Sequence, residues 1–68
     1  MVLKINQQLI NFAFPPKNLA ELILLELKGK TKGIAIALNN QVIPQDSWST
    51  TLLSENDSIL IITATPGG

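Results

Sequence analysis

The chain has 68 residues, and its five lysines balance five acidic side chains, so the formal net charge is zero. A chain of this length forms one small domain with no room for a deep enzyme pocket, and balanced charge does not indicate nucleic acid or a membrane as a partner. Cysteine and histidine are absent, which excludes disulfides, thiol nucleophiles, imidazole bases and the usual zinc sites.

The location of the protein is predicted from the same composition. No apolar run approaches the roughly 20 residues that a membrane-spanning helix needs, and the N-terminus lacks the pattern of a signal peptide. We therefore expect a cytoplasmic protein that has no catalytic or metal-binding residues of its own, so that any chemistry on it is performed by another protein.

The first fourteen residues are typical of a β-hairpin. Residues 2–6 alternate well enough to predict a first strand, and residues 9–14 predict a second. Gln7-Gln8 is expected to connect the two strands. Pro15-Pro16 ends the second strand, because proline cannot donate to a strand ladder.

A helix is predicted from about residue 19 to residue 28. Asn18 is a typical N-cap residue, and Glu21 three positions later completes the pattern of a capping box. Apolar side chains at helical spacing form one stripe, made of Leu19, Ala20, Leu22, Ile23 and Leu27. Leu24-Leu25 falls near the polar face, so one of this pair is expected to be exposed. Gly29 is placed to end the helix in the left-handed conformation.

Two more strands are predicted in the middle of the chain. Residues 34–38 form the third strand, and residues 41–43 form a short fourth strand that Pro44 ends. Asn39-Asn40 lies between them, and asparagine tolerates the left-handed region that tight turns use. Trp48 follows in a predicted helical turn or loop, where a structural plug is favoured over a platform for a ligand.

The last strand and the residues after it carry the strongest signal. Consecutive large aliphatic side chains predict a strand that is buried on most of its surface and central in the sheet; they are Ile59, Leu60, Ile61 and Ile62. The sequence then loses its side chains at Gly67-Gly68. We therefore assign residues 1–64 to the folded domain and residues 65–68 to a flexible tail.

These elements predict an α+β fold in which one main helix covers one face of a mixed sheet of about five strands. The other face stays uncovered at alternate members of the last strand. Exposed apolar area on a small domain often marks a docking surface. The residues of that strand, Ile59 to Ile62, are therefore the candidate partner-docking residues.

At residues 37–44 (ALNNQVIP) the chain resembles the ThiS family, the sulfur carriers of thiamine thiazole synthesis. The family pattern has an aliphatic pair, an asparagine, a short turn, further aliphatics and a proline, then a tryptophan, here Trp48. It continues to a final aliphatic strand and a Gly-Gly end, here Gly67-Gly68. The resemblance covers nearly the whole chain and implies a β-grasp (ubiquitin-like) fold.

Three positions depart from the family pattern. Gln45 stands where the family often has a basic residue, and Asn56-Asp57 stands where Gly-Asp is usual. Pro66, just before the glycines, is less usual in ThiS. A tail that contains proline is similar to that of MoaD, the small subunit of molybdopterin synthase. A MoaD-like sulfur carrier is therefore one alternative. A β-grasp interaction module with an inert end is another.

The resemblance implies a protein co-substrate rather than an enzyme. An E1-like, ThiF-like enzyme would use ATP to adenylate the carboxylate of Gly68. That carboxylate would then become a thiocarboxylate and donate its sulfur to a ThiG-like thiazole synthase. The resemblance implies no bound cofactor, since the partner enzyme uses the ATP.

The tail suits such a role for steric reasons. Glycine has no Cβ, so Gly67 and Gly68 fit a narrow channel and reach backbone angles closed to other residues. At up to about 3.4 Å per residue, residues 65–68 reach roughly 13 Å beyond the domain. Thr65, Pro66 and Gly67 are therefore predicted to enter the active site of a partner together with Gly68.

Overall fold

The computed structural model describes residues 1–28 and 33–63, and within them five strands form one mixed sheet with a helix against one face. The elements in chain order are β1 (Val2–Ile5), β2 (Gln8–Asn11), α1 (Leu19–Leu27), β3 (Ile34–Leu38), β4 (Gln41–Ile43), a 3₁₀ turn (Gln45–Thr50) and β5 (Ser58–Thr63).

The strand order in the sheet is β2-β1-β5-β3-β4, so the last strand of the chain occupies the centre. The β1–β5 pair is parallel, and the β1–β2, β3–β5 and β3–β4 pairs are antiparallel. The predictions of a mixed α+β sheet and of a central last strand are therefore confirmed.

The N-terminal hairpin differs from its prediction in register and length. Its turn is Asn6-Gln7 rather than Gln7-Gln8, and both residues have positive φ, 49° and 69°, as a two-residue hairpin turn with right-handed strand twist requires. The second strand ends at Asn11 rather than at residue 14. Met1 and Phe12 exchange the final pair of hydrogen bonds of this ladder (2.8 and 3.0 Å), so Phe14 leaves the sheet and is almost fully exposed.

Helix α1 begins as predicted and ends one residue early. The side-chain oxygen of Asn18 accepts a hydrogen bond from the backbone N–H of Glu21 at 2.8 Å. The Glu21 carboxylate accepts from the N–H of Lys17 at 3.3 Å, one residue before the donor that a capping box uses. Lys28 itself takes the left-handed conformation (φ 53°), and the predicted cap Gly29 lies outside the described residues.

The core lies between the helix and the sheet. Its buried members are Leu3, Ile5, Leu19, Leu22, Ile23, Ile36, Trp48, Leu53 and Ile59. Trp48 is the structural plug that the sequence predicts, since it is buried and its indole Nε1–H donates to the carbonyl of Ile43 at 2.9 Å. Leu24 and Leu25 are both exposed, where one was expected. No helix in the described residues has the length and apolarity to cross a membrane.

Candidate functional site

The central strand β5 presents different side chains to the two faces of the sheet. Successive strand residues point to opposite faces. Ile59 is buried in the core and Ile61 is half-buried against it. Leu60 and Ile62 point away from α1 and remain 44% and 46% exposed. One half of the strand therefore stabilises the fold, and the other half forms an apolar surface.

Strands β3 and β4 extend this surface, which we call the open face. Ala35 lies opposite Ile62, and Ala37 lies opposite Leu60 and, on its other side, opposite Val42. Directly paired residues share a face of the sheet. Ala37 is only 9% exposed, although it points away from the helix, because the larger Leu60 and Val42 flank it. On this face β3 contributes only alanines, while the neighbouring strands β5 and β4 contribute larger side chains. The open face is therefore a shallow apolar surface with larger residues on either side of β3.

The second half of β5 is held by the side chain of a turn residue. The parallel ladder with β1 covers only Lys4 opposite Ser58 and Ile5 opposite Ile59, because β1 then turns into the hairpin. The backbone N–H of Asn6 donates to the carbonyl of Ile59 at 2.9 Å. The Asn6 side-chain oxygen accepts from the N–H of Ile61 at 2.8 Å. Asn6 therefore continues the ladder by one residue after its backbone has turned away.

The start of β5 is held by a second polar network. The carboxylate of Asp57 accepts from the N–H of Ser54 at 2.8 Å and from the side-chain amide of Asn39 at 3.1 Å. The other side-chain atom of Asn39, its oxygen, accepts from the N–H of Ser58 at 2.9 Å. This network joins the β3–β4 turn to the residue that begins the last strand.

The described residues contain no group of three or more histidine, cysteine, aspartate or glutamate side chains that could hold a metal ion. The features of this region that the described structure shows are a positioned central strand, whose last residue is Thr63, and an apolar face beside it. That last residue of β5 lies opposite Ile34, the first residue of β3.

The sequence model of the ThiS family matches residues 3–68, which is nearly the whole chain and includes the final two glycines. The chain belongs to the ThiS family. A curated relative, the sulfur carrier protein ThiS of Escherichia coli strain K12, is 30% identical over 46 residues, or 68% of this chain and 70% of that protein.

A crystal structure of the thiamine biosynthesis protein ThiS from Geobacter metallireducens superposes with a TM-score of 0.85, and the match covers 100% of both chains at 19% identity. This likeness shows the fold. The ubiquitin-like β-grasp that the sequence predicts is confirmed.

The stretch that resembles ThiS forms one structural unit. It comprises the last residues of β3, the Asn39-Asn40 turn and strand β4, and it reaches the 3₁₀ turn that carries Trp48. Both turn asparagines have positive φ, 50° and 70°, as the sequence predicts. The sequence did not predict that Asn39 also contacts Asp57 and Ser58, because a turn pattern gives no information on contacts across 18 or 19 residues.

The predicted site residues fall into two groups. Thr65, Pro66, Gly67 and Gly68 lie outside the described residues. Among the predicted docking residues, Leu60 and Ile62 lie on the open face, Ile61 is half-buried on the helix side, and Ile59 is in the core. The candidate docking surface of this ThiS-family chain is therefore narrowed to Leu60 and Ile62 on β5, together with Val42 across Ala37.

Proposed function

We propose that this chain is a sulfur carrier of thiamine biosynthesis and that the carboxylate of Gly68 is its working group. The observation that carries the proposal is the match to the ThiS family, which extends through Gly67 and Gly68. The name of the Escherichia coli relative, a sulfur carrier protein, supports it. In this role the chain is a protein co-substrate on which separate enzymes act.

The proposed chemistry follows from the weakness of a free carboxylate as an electrophile. A carboxylate oxygen of Gly68 attacks the α-phosphorus of ATP, pyrophosphate leaves, and the acyl-adenylate carries a good leaving group. A sulfide-level nucleophile (HS⁻) that a donor supplies then attacks the acyl carbon, the bond from that carbon to the AMP oxygen breaks, and AMP leaves with the electron pair. Loss of the proton on sulfur gives a thiocarboxylate on Gly68. No side chain of the carrier takes part in either step, in keeping with a chain that has no cysteine or histidine.

The tail is proposed to deliver the carboxylate to these enzymes. Strand β5 is anchored on one side by β3 and at its start by β1, and it ends at Thr63. Residues 65–68 then span up to roughly 13 Å when extended, so the carboxylate reaches a buried active site while the domain stays at the entrance. Pro66 restricts the base of this tail and lowers the entropy lost on threading.

The open face is proposed to position the domain at that entrance. Leu60 and Ile62 are exposed on the strand that leads into the tail, so a partner that contacts them is correctly placed to receive residues 65–68. The proposed partners are a ThiF-like adenylating enzyme, which uses the ATP, and a ThiG-like thiazole synthase, which receives the sulfur.

Intact-mass spectrometry tests the proposal. The protein is incubated with its ThiF-like enzyme, ATP and a sulfur donor, and we expect the mass to rise by the difference between sulfur and oxygen. A matched variant that lacks Gly68 is expected to show no shift while it melts at the same temperature. An unchanged mass of the unaltered protein with the cognate enzyme would refute the proposal.

Pro66 supports one rival, a MoaD-like carrier for molybdopterin synthesis, because a proline at this position is similar to the MoaD tail. Co-purification distinguishes the two pathways. The thiamine proposal predicts that a thiazole synthase co-purifies with this chain. The rival predicts that the large subunit of molybdopterin synthase co-purifies with it instead. If the Gly68 deletion keeps full cellular activity, neither carrier function holds and an interaction module remains.

A further inference from the structure

The open face continues beyond β5 onto strands β1 and β2. Ser58 begins β5 two residues before Leu60, so both side chains point to the open face. Lys4 lies directly opposite Ser58 in the parallel ladder and directly opposite Leu9 in the hairpin. Because directly paired residues share a face of the sheet, Lys4 and Leu9 also belong to the open face. Both of these side chains are exposed.

Lys4 is the one charged residue within the five strands of the described sheet. Two acidic residues of the loop that precedes β5 bind backbone groups. The Glu55 carboxylate accepts from the N–H of Val2 at 2.6 Å, and the Asp57 carboxylate accepts from the N–H of Ser54 at 2.8 Å. The open face is therefore apolar on β3, on β4 and in the second half of β5, and it is cationic at β1.

The positive end of the open face lies at the start of β5, and the apolar end lies where that strand finishes. Ile62 is four residues after Ser58, which is about 13 Å along a strand. An apolar surface gives little preference for one orientation on a partner, because the hydrophobic effect is non-directional. A charge at one end of the surface supplies that preference, since charge complementarity fixes the register of two surfaces.

We propose that Lys4 guides the open face onto an acidic site of the ThiF-like adenylating enzyme, so that a carboxylate of that enzyme faces the Lys4 ammonium in the complex. This inference rests on the proposed carrier function, which supplies the partner. An exposed ion pair adds little to affinity, whereas opposite charges at the rim of an interface mainly raise the rate of association. The net charge of the chain is zero, so the attraction comes from the local charge. Lys4 is a positioning residue for docking and takes no part in the chemistry at Gly68.

Surface plasmon resonance with the immobilised ThiF-like enzyme measures the association rate constant of the full chain. Lys4→Glu is expected to lower this rate constant at least about tenfold at about 0.05 M salt. The difference is expected to shrink to less than about threefold at about 0.5 M salt, because salt screens exposed charges. Lys4→Arg keeps the charge and is expected to associate at the original rate. Lys17→Glu is the matched control, since it changes the net charge equally at an exposed position just before α1, and it is expected to associate within about twofold of the original rate.

Circular dichroism melting confirms that each variant is folded. Equal slowing by Lys4→Glu and Lys17→Glu would overturn the inference, because net charge alone would explain it. A Lys4→Glu defect that stays the same at high salt, or one that affects only binding to the thiazole synthase, would also overturn it. The carrier function is judged separately, by the thiocarboxylate mass shift of the unaltered protein. A mass shift without an effect of Lys4→Glu removes only the docking inference, and an effect of Lys4→Glu without a mass shift removes only the carrier function.

Discussion

The side-chain oxygen of Asn6 accepts a hydrogen bond from the backbone N–H of Ile61 at 2.8 Å, across 55 residues of sequence. Asn6 has φ of 49° and begins the turn that carries β1 away from β5. One residue therefore does two things: its backbone closes the hairpin, and its side chain replaces the lost strand neighbour. Because of this hydrogen bond, β5 has a partner on its β1 side as far as Ile61.

We predict that Asn6→Gly lowers the free energy of unfolding by about 0.5–1.5 kcal/mol, the usual contribution of one hydrogen bond. Glycine keeps the left-handed backbone at no steric cost, so the change removes the side-chain acceptor alone. Urea denaturation measures the effect. Gln7→Gly, at the next left-handed position of the same turn (φ 69°), is the matched control and should be neutral or stabilising. Equal effects at both positions would mean that the Ile61 hydrogen bond contributes nothing.

The hairpin also shows where sequence patterns reach their limit. Alternation predicts the two strands, but the register depends on which residues accept positive φ, and the Asn6-Gln7 turn lacks the glycine that would mark it. The second strand stops at Asn11 because its ladder with β1 ends at the Met1–Phe12 pair. Local propensity favours a strand through Phe14, and the length of the partner strand limits it.

We predict that replacing Trp48 removes much of the stability of the domain. Its indole is buried, and its N–H donates to the Ile43 carbonyl at 2.9 Å. Truncation of a buried tryptophan to alanine costs about 3–5 kcal/mol, while a domain of this size has only roughly 3–10 kcal/mol in total. Trp48→Ala should therefore melt at least about 10 °C below the unaltered protein.

Trp48→Phe keeps an aromatic ring but loses the hydrogen bond, and should fold with stability reduced by about 1–3 kcal/mol. Ser49→Ala is the neighbouring control, since Ser49 is exposed, and should change the stability by less than about 0.5 kcal/mol. A Trp48→Ala variant that melts like the unaltered protein would show that the tryptophan is not a structural plug.

The docking surface could be predicted only in part. Four consecutive aliphatic residues indicate a central strand. The two-residue period of a strand shows that alternate side chains point to opposite faces, but it does not show which alternate pair of residues 59–62 faces the helix. The register with β3 decides this, because Ile36 pairs with Ile61 on the core side and Ala37 pairs with Leu60 on the open side. The contribution of Val42 arises from strand β4 across Ala37, a neighbour relation that no local pattern contains.

We predict that Leu60→Asp weakens binding to the ThiF-like enzyme more than it destabilises the domain. Leu60 is half-exposed on the open face, so a charge there can stay hydrated in the free protein and must be desolvated in the complex. We expect the Kd to rise at least about tenfold, which corresponds to roughly 1.4 kcal/mol.

Isothermal titration calorimetry measures this affinity, and urea denaturation measures the stability in parallel. Leu52→Asp is the matched control, since Leu52 is also exposed but lies beside the helix N-terminus, opposite Asn18, and should leave affinity unchanged. If both substitutions weaken binding equally, the open face is not the docking surface. If Leu60→Asp loses as much stability as affinity, the position belongs to the core.

We predict that a side chain at position 67 slows thiocarboxylate formation without affecting the fold. A Cβ widens the tail and closes the backbone angles that glycine alone reaches, so Gly67→Ala should lower kcat/KM for thiocarboxylate formation and Gly67→Val should lower it further. A tenfold loss would correspond to about 1.4 kcal/mol of lost transition-state binding.

Intact-mass time courses give the rates, and melting temperatures should stay unchanged because β5 ends at Thr63. Gln8→Ala, on the exposed edge strand β2, is the control and should react at the original rate. A Gly67→Val protein that reacts as fast as this control would mean that the tail does not enter a narrow channel, and the glycines would then need another explanation.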